Sequence, residues 1–166
     1  KHFVGLDLCK NFIDELNIWK NKNNISNVDF VILDALDENF QKQIDLRFSL
    51  VFIFGVFQYI VNDSDVVKIL RQINDLMLPQ ANCLIKQTTS IINKNLFIDK
   101  YSEMLQSHYM ANFRSKENMT NLLEIVGFEI TLIQEAYNLD ILGEKYREVE
   151  PWDETRQYYF KVSKKL

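Results

Sequence analysis

The segment FVGLDLCKNFIDELNIWKNKNNISNVDFVILDAL (residues 3–36) contains the same arrangement twice. An apolar run over residues 3–6 ends at Asp7, and a second run over residues 28–33 ends at Asp34. Strand, helix and strand in this order are typical of a βαβ unit with parallel strands. The segment between the runs has helical spacing, and its apolar stripe consists of Phe12, Ile13, Leu16 and Trp19.

The rest of the chain continues the alternation of strands and helices. Further strands are predicted over residues 48–57, 82–87, 128–133 and 157–162. Residues 48–57 are nearly all apolar, which is typical of a strand buried on both faces. Three further helices are predicted. The first begins after a cap at Asp63 or Ser64 and ends before Pro79, and the second covers residues 95–106. The third lies between a cap at Ser115 and Gly127. We therefore expect an α/β fold with a mostly parallel sheet.

Composition excludes several classes of protein. The 166 residues carry a net charge of −4, whereas a nucleic-acid footprint needs clustered Lys and Arg. No run approaches the roughly 20 apolar residues of a membrane span. Cys9 and Cys83 are far apart, so we expect reduced thiols in a cytoplasmic protein. No Cys/His cluster or Ser/His/Asp arrangement is visible, and we predict no metal and no covalent nucleophile.

The two aspartates allow two interpretations. Asp7 and Asp34 each follow a strand, and ligands of open α/β sheets bind beyond the carboxyl ends of the strands. One carboxylate can accept both hydroxyl protons of a ribose, and another can accept from an adenine amine. Alternatively, each aspartate only caps the turn that follows it.

Five segments, taken in order, resemble the class I S-adenosylmethionine-dependent methyltransferases. They are VGLDLCKNFIDELN, VDFVILDAL, FSLVFIFGVFQYI, ILRQINDLMLPQANCLIKQ and FRSKENMTNLLEIVGFEI. The resemblance covers nearly the whole chain. It implies one domain over residues 1–166 with a three-layer Rossmann-like fold, whose mostly parallel sheet has an antiparallel last strand.

The resemblance also implies a set of cofactor-binding residues. Asp7 would bind the ribose, Leu8 would pack on the adenine, and Asp34 would meet the adenine amine. The backbone of Ala35 and Leu36 would lie beside that amine. The loop that begins with Phe54 and Gly55 would lie under the methionine portion and the acceptor.

One part of the family pattern is not found in this sequence. The family's first strand and its glycine-rich loop have no counterpart, because VGLDLCKN lacks the glycines after its acid. We therefore expect the N-terminal βα unit to be missing from this form, which would not be competent alone. A partner strand would come from a second copy or from a separate N-terminal segment. In addition, Leu78-Pro79-Gln80-Ala81 replaces the usual Leu-x-Pro-Gly-Gly turn.

Catalytic residues are not identified by this pattern, and Gln58 and Tyr59 are weak candidates. Gln58 would orient the acceptor and Tyr59 would pack on it, or Tyr59 would be a half-buried packing residue. Arg114 would bind an anionic group or pair with a nearby acid.

The remaining candidates are one histidine, one tryptophan and two tyrosines. His108 is a general base or an ordinary surface residue. Trp152, Tyr158 and Tyr159 are candidates for a substrate slot, although Tyr158 and Tyr159 face opposite sides of a strand.

The predicted function is transfer of a methyl group from S-adenosylmethionine to a small molecule. A neutral or cationic acceptor, or a sugar, fits the acidic composition better than nucleic acid. One alternative is a non-catalytic or truncated remnant, or a binding module, with the same fold. Another is a nucleotide- or NAD-binding Rossmann domain, although its Gly-x-Gly-x-x-Gly signature is missing.

Overall fold

The computed structural model describes residues 1–136 and 153–165. The chain divides into two compact units, Lys1–Asp45 and Leu46–Leu166. Each unit has its own hydrogen-bonded strands.

The first unit is a βαβ unit followed by one helical turn. Its elements are β1 (Phe3–Asp7), α1 (Lys10–Lys22), β2 (Val28–Ile32) and α2 (Phe40–Gln43). β1 and β2 pair in parallel over their full length, with Asp7 opposite Ile32. The strand–helix–strand prediction for residues 3–36 is therefore confirmed.

Much of the apolar surface of the first unit is open to solvent. Of the apolar stripe on α1, Ile13 is 3% exposed, whereas Phe12 is 60% and Trp19 is 51% exposed. Gly5 lies close to the ring of Phe30, where an added Cβ would be 2.8 Å from Cδ1. Glycine at this position thus lets the ring lie against the backbone of β1.

The second unit is built on a mixed four-stranded sheet with the order β3-β4-β8-β7. Its strands are β3 (Phe48–Phe54), β4 (Met77–Ser90), β7 (Phe128–Glu135) and β8 (Thr155–Lys164). β3 and β4 are parallel, and β8 is antiparallel to both β4 and β7. The antiparallel last strand is confirmed. A mostly parallel sheet is not, because the described strands form several sheets of mixed direction.

The helix predicted over residues 95–106 is wrong. A hairpin of β5 (Leu96–Ser102) and β6 (Ser107–Phe113) occupies this region. Apolar residues alternate with a period of two in β6, so that Tyr109, Ala111 and Phe113 are buried together against Leu96 and Ile98. This packing outweighs the local helical spacing of the sequence.

The two longer helices of the second unit are α3 (Asp63–Leu76) and α4 (Lys116–Val126). Ser115 caps α4 as predicted, because its side chain accepts from Asn118 N at 3.1 Å. Gly127 closes α4 with φ 93°. The N-cap of α3 is Asn62 rather than Asp63 or Ser64.

Within the four-stranded sheet, β3 is buried on one face and exposed on the other. Ile53, Ile85 and Phe160 are neighbours across three strands and are at most 7% exposed. On the other face of β3, Leu50, Phe52 and Phe54 are 49%, 54% and 53% exposed. The prediction that β3 is buried on both faces is therefore wrong, because a continuous apolar run does not by itself show what covers each face.

β4 begins with an irregular stretch next to β3. Phe48 pairs with Met77, but Leu50 already pairs with Asn82. Within the extra residues, Gln80 has φ 62°. Gln80 thus occupies the left-handed region at the turn where glycine is usual, and this region favours glycine.

Candidate cofactor and acceptor residues

The two candidate aspartates lie at one edge of the first unit. β1 and β2 are parallel neighbours, so their carboxyl ends meet at the same edge of the sheet. Asp7 is the last residue of β1, and Asp34 follows the end of β2 by two residues. Both side chains are exposed.

Each aspartate makes the same local hydrogen bond. Asp7 Oδ1 accepts from Cys9 N at 2.7 Å, and Asp34 Oδ1 accepts from Leu36 N at 2.8 Å. The capping interpretation is therefore correct for both residues. It does not exclude ligand binding, because an ionised carboxylate has about four acceptor positions and this contact uses one.

The residues beside the aspartates differ in exposure. Leu8 is 65% exposed, while Ala35 and Leu36 are partly buried. The Leu36 N–H group is directed at Asp34, so this turn is organised by the candidate carboxylate itself.

An apolar groove lies next to Asp7 within the first unit. It has a volume of about 500 Å³, which is within the range of small-molecule sites. Its walls come from β1 and α1, together with Phe30 of β2. The lining residues are Gly5, Leu6, Asp7, Phe12, Ile13, Glu15, Leu16, Trp19 and Phe30.

In the second unit, the chain turns sharply at the carboxyl end of β3. Gly55 has φ 66°, and its N–H donates to Lys86 O at 2.9 Å. A short 3₁₀ turn, Phe57–Tyr59, follows. Glycine suits this position because the left-handed backbone disfavours other residues, and the turn sets the direction of Gln58 and Tyr59.

Gln58 and Tyr59 have different surroundings. Gln58 is 5% exposed, and its Oε1 lies 3.5 Å from Nε2 of the buried Gln87 on β4. Tyr59 is 53% exposed and meets the ring of Tyr109 edge-on, with centroids 6.2 Å apart. Tyr59 is thus partly packed and still presents half of its surface to solvent.

Gln87 was not identified by sequence reasoning. It is 1% exposed and donates to Thr88 O at 3.0 Å. Its Oε1 has no hydrogen-bond partner among residues 1–136 and 153–165. The signal available in the sequence was a glutamine within the predicted strand of residues 82–87. A buried amide there requires partners for both its oxygen and its nitrogen, which marks a candidate polar contact.

Arg114 is buried and pairs internally. It is 1% exposed, and its Nε donates to Asp63 Oδ1 at 2.7 Å. Of the two interpretations made from the sequence, pairing with a nearby acid is the correct one.

The remaining candidates are dispersed. His108 Nε2 lies 3.2 Å from Asp99 Oδ1, and both side chains are largely exposed. Tyr158 pairs with Gln87 and Tyr159 pairs with Lys86, so the two tyrosines face opposite sides of the sheet as expected. Trp152 lies outside the described residues.

Two groups away from the candidate residues have shifted pKa values. Hydrogen bonds from Lys20 and His2 lower the pKa of Asp29, an exposed residue of β2. Burial raises the pKa of the Cys83 thiol to about 12.

The described residues contain neither a candidate membrane-spanning helix nor a candidate metal site. No helix there is long and apolar enough to cross a membrane. No group of three or more His, Cys, Asp or Glu side chains in residues 1–136 and 153–165 could hold a metal ion.

Several solved structures are similar to this chain in fold. A SAM-dependent methyltransferase from Methanosarcina mazei superposes with a TM-score of 0.73 at 10% identity, over 98% of this chain and 82% of that one. The chain has the class I methyltransferase fold. No family model matches the sequence, and no curated protein matches it significantly.

Two further structures with the methyltransferase fold are similar. An O-methyltransferase of a trans-AT PKS multienzyme from Brevibacillus brevis, in complex with S-adenosyl-L-homocysteine, has a TM-score of 0.71 at 9% identity, covering 99% of this chain and 59% of that one. The [4+2]-cyclase SpnF has a TM-score of 0.72 at 12% identity, covering 99% and 67%. Identities this low establish the fold alone.

Proposed function

We propose that this protein binds S-adenosylmethionine and transfers its methyl group to a small-molecule acceptor. The observation that carries the proposal is the pair Asp7 and Asp34, two exposed carboxylates at the adjacent ends of parallel strands. Each uses one oxygen for a local backbone contact. The other oxygen of each is suited to accept from hydroxyl or amine groups of an adenosine.

The groove beside Asp7 supports the same proposal. Its walls are mostly apolar and include the aromatic side chains of Phe12, Trp19 and Phe30. Apolar and aromatic walls with a few placed polar groups are typical of small-molecule sites. In this proposal Asp7 binds the ribose hydroxyls, Leu8 contacts the adenine, and Asp34 accepts from the adenine amine.

The donor supplies an activated methyl group, so the protein's task is mainly to orient the acceptor. In this proposal the loop that begins with Phe54 and Gly55 carries Gln58 and Tyr59, which contact the acceptor. Gln87 Oε1 is a hydrogen-bond acceptor to which a hydroxyl or N–H group of the substrate could donate. These side chains are uncharged, which favours a neutral acceptor such as a sugar.

The alternative is a binding module or a non-catalytic or truncated remnant with the methyltransferase fold. The SpnF comparison bears on this alternative only in that a protein described as a [4+2]-cyclase has the same fold, so the fold alone does not imply methyl transfer. The two proposals differ in one measurable respect: only a methyltransferase converts S-adenosylmethionine to S-adenosylhomocysteine when an acceptor is present.

Two measurements test the proposal. Calorimetry with S-adenosylmethionine should give saturable binding to the wild-type protein. Mass spectrometry should then detect S-adenosylhomocysteine with glucose, a neutral polyol, or with ethanolamine, a cationic amine. Binding without turnover of a broad acceptor panel would favour the binding module. No binding at millimolar S-adenosylmethionine would refute the methyltransferase proposal and favour the non-catalytic remnant.

A further inference from the structure

The loop after β3 is held from one side by a single buried cation. Arg114 Nη1 donates to Phe57 O at 2.7 Å, and Nη2 donates to Ile60 O at 2.7 Å and to Val61 O at 3.1 Å. Nε donates to Asp63 Oδ1 at 2.7 Å. Four of the five guanidinium N–H groups are therefore engaged, and at 1% exposure Arg114 is not accessible to an external anion.

Two amides extend this contact on either side of Arg114. Asn112 Nδ2 donates to Val61 O at 2.9 Å, and Asn118 Nδ2 donates to Asp63 Oδ2 at 3.2 Å. The segment from β6 into α4 thus presents three polar side chains to one short loop.

The positions of the contacted carbonyls are informative. Phe57 O immediately precedes Gln58, and Ile60 O immediately follows Tyr59. Arg114 therefore fixes the backbone on both sides of the Gln58–Tyr59 pair.

We infer that Arg114 is the positioning residue for the loop that carries Gln58 and Tyr59. This inference rests on the proposed function, in which Gln58 and Tyr59 border the acceptor. Arg114 acts through the loop and touches no reacting atom. Its planar fork matches carbonyls at fixed spacing, and a lysine ammonium cannot reproduce that fork. A loop held in this way keeps the acceptor contacts in place before the acceptor arrives.

Hydrogen exchange tests the inference without any ligand. In Arg114→Lys, the amides of Tyr59 and Ile60, which bond to Val56 O and Phe57 O, should exchange roughly tenfold faster, the effect of losing a hydrogen bond to a charged group. The Ser90 amide, which bonds to the Arg114 backbone oxygen, should keep its rate. Unchanged rates at Tyr59 and Ile60 would overturn the inference.

Control variants separate positioning from general destabilisation. Val162→Ala removes buried volume from β8 and should lower the melting temperature without accelerating exchange in the loop. Arg71→Lys makes the same chemical change at an exposed arginine of α3 and should alter neither quantity. If Arg114→Lys does not fold, Asp63→Asn removes the paired charge and should give a smaller acceleration at the same two amides. Equal acceleration in Val162→Ala would overturn the inference.

A kinetic measurement connects the loop to the proposed function. With glucose or ethanolamine as the probe, Arg114→Lys should raise the apparent KM for that probe several-fold and leave the affinity for S-adenosylmethionine unchanged. An unchanged probe KM would overturn the positioning role. If the wild-type protein forms no S-adenosylhomocysteine, the proposed function fails with these acceptors, while the exchange rates still decide whether Arg114 orders the loop.

Discussion

The carboxylates of the first unit and the buried arginine of the second differ in how much of their hydrogen-bonding capacity the protein uses. Asp7 and Asp34 are exposed, and each side chain accepts a hydrogen bond from the backbone N–H two residues later. Arg114 is buried and donates to four oxygens. The two aspartates retain acceptor positions for a ligand, whereas Arg114 uses its hydrogen bonds within the fold.

This difference shows that residue type is a poor guide to a binding role. An arginine suggests an anion site, and an aspartate after a strand suggests a cap. Here the cap has acceptor positions left over and the arginine has no open face. Counting the donors and acceptors that remain unused gives the better prediction.

The largest effect should come from removing the arginine. Arg114→Ala removes four hydrogen bonds and leaves Phe57 O and Ile60 O without the Arg114 donor, while Val61 O and Asp63 keep Asn112 and Asn118. It should lower the free energy of unfolding by about 3 kcal/mol, the lower end for removing one partner of a buried ion pair. Urea denaturation measures this change. Arg71→Ala, at an exposed position, should stay within about 0.5 kcal/mol of wild type. Equal changes in the free energy of unfolding for Arg114→Ala and Arg71→Ala would show that the buried hydrogen bonds of Arg114 do not stabilise the fold.

Removing the carboxylate at the end of β1 should affect binding rather than folding. Asp7→Ala should weaken binding of S-adenosylmethionine by roughly 1.5–3 kcal/mol, the range for hydrogen bonds to a charged group. Asp34→Ala should cost less, about 1 kcal/mol, because one amine contact is lost. Calorimetry on both variants decides the ribose and adenine assignments.

A matched control for these variants lies on α1. Asp14 is exposed and pairs with Lys10, so Asp14→Ala removes a carboxylate of the same unit away from the strand ends. Its affinity for S-adenosylmethionine should equal that of wild type. Full affinity in Asp7→Ala would remove the ribose assignment.

Alkaline pH should destabilise the fold through the buried thiol of Cys83. Burial raises the pKa of Cys83 from 9.0 to about 12, so the unfolded chain loses this proton at lower pH than the folded chain. Stability from this thiol is therefore complete below pH 9 and falls by about 1.4 kcal/mol per pH unit above it. Cys83→Ala should show a shallower decline in stability between pH 9 and 10.5, and equal slopes would contradict the assignment.

The smallest expected effect concerns backbone strain. Gln80 in the second unit has φ 62°, and Asn24 in the first unit has φ 54°. Asparagine tolerates the left-handed region better than glutamine. Gln80→Gly should therefore raise the free energy of unfolding by about 0.5 kcal/mol after the entropy cost of glycine, and Asn24→Gly should change it less. Thermal denaturation of both variants tests this, and a loss of stability in Gln80→Gly would show that the turn is not strained.

The βαβ unit was predictable because its signals are local. Apolar runs that end in aspartate and the periodic stripe on α1 lie within 34 residues, from 3 to 36. The caps at Ser115 and Gly127 were predictable for the same reason. The hairpin of β5 and β6 was not, because its turn contains none of the Gly, Pro or Asn-Gly signals that mark hairpins.

The interactions of Arg114 were unpredictable for a different reason. Its partners Phe57 and Asp63 lie 57 and 51 positions away, and no local pattern records such a distance. The exposure of one face of β3 could not be predicted either, because an apolar sequence does not specify which neighbour covers each face. The cofactor assignments of Asp7, Leu8, Asp34, Ala35, Leu36, Phe54 and Gly55 stay predictions.

The open face of β3 has a consequence for how this protein would behave with dyes. Leu50, Phe52 and Phe54 are each about half exposed, and the rings of Phe52 and Phe54 lie 5.7 Å apart. Anilinonaphthalene sulfonate fluoresces on apolar surface of this kind, and its fluorescence is commonly taken as a sign of a molten globule. The fully folded protein should therefore enhance the dye's emission, and Phe52→Ser should reduce it without loss of near-UV circular dichroism.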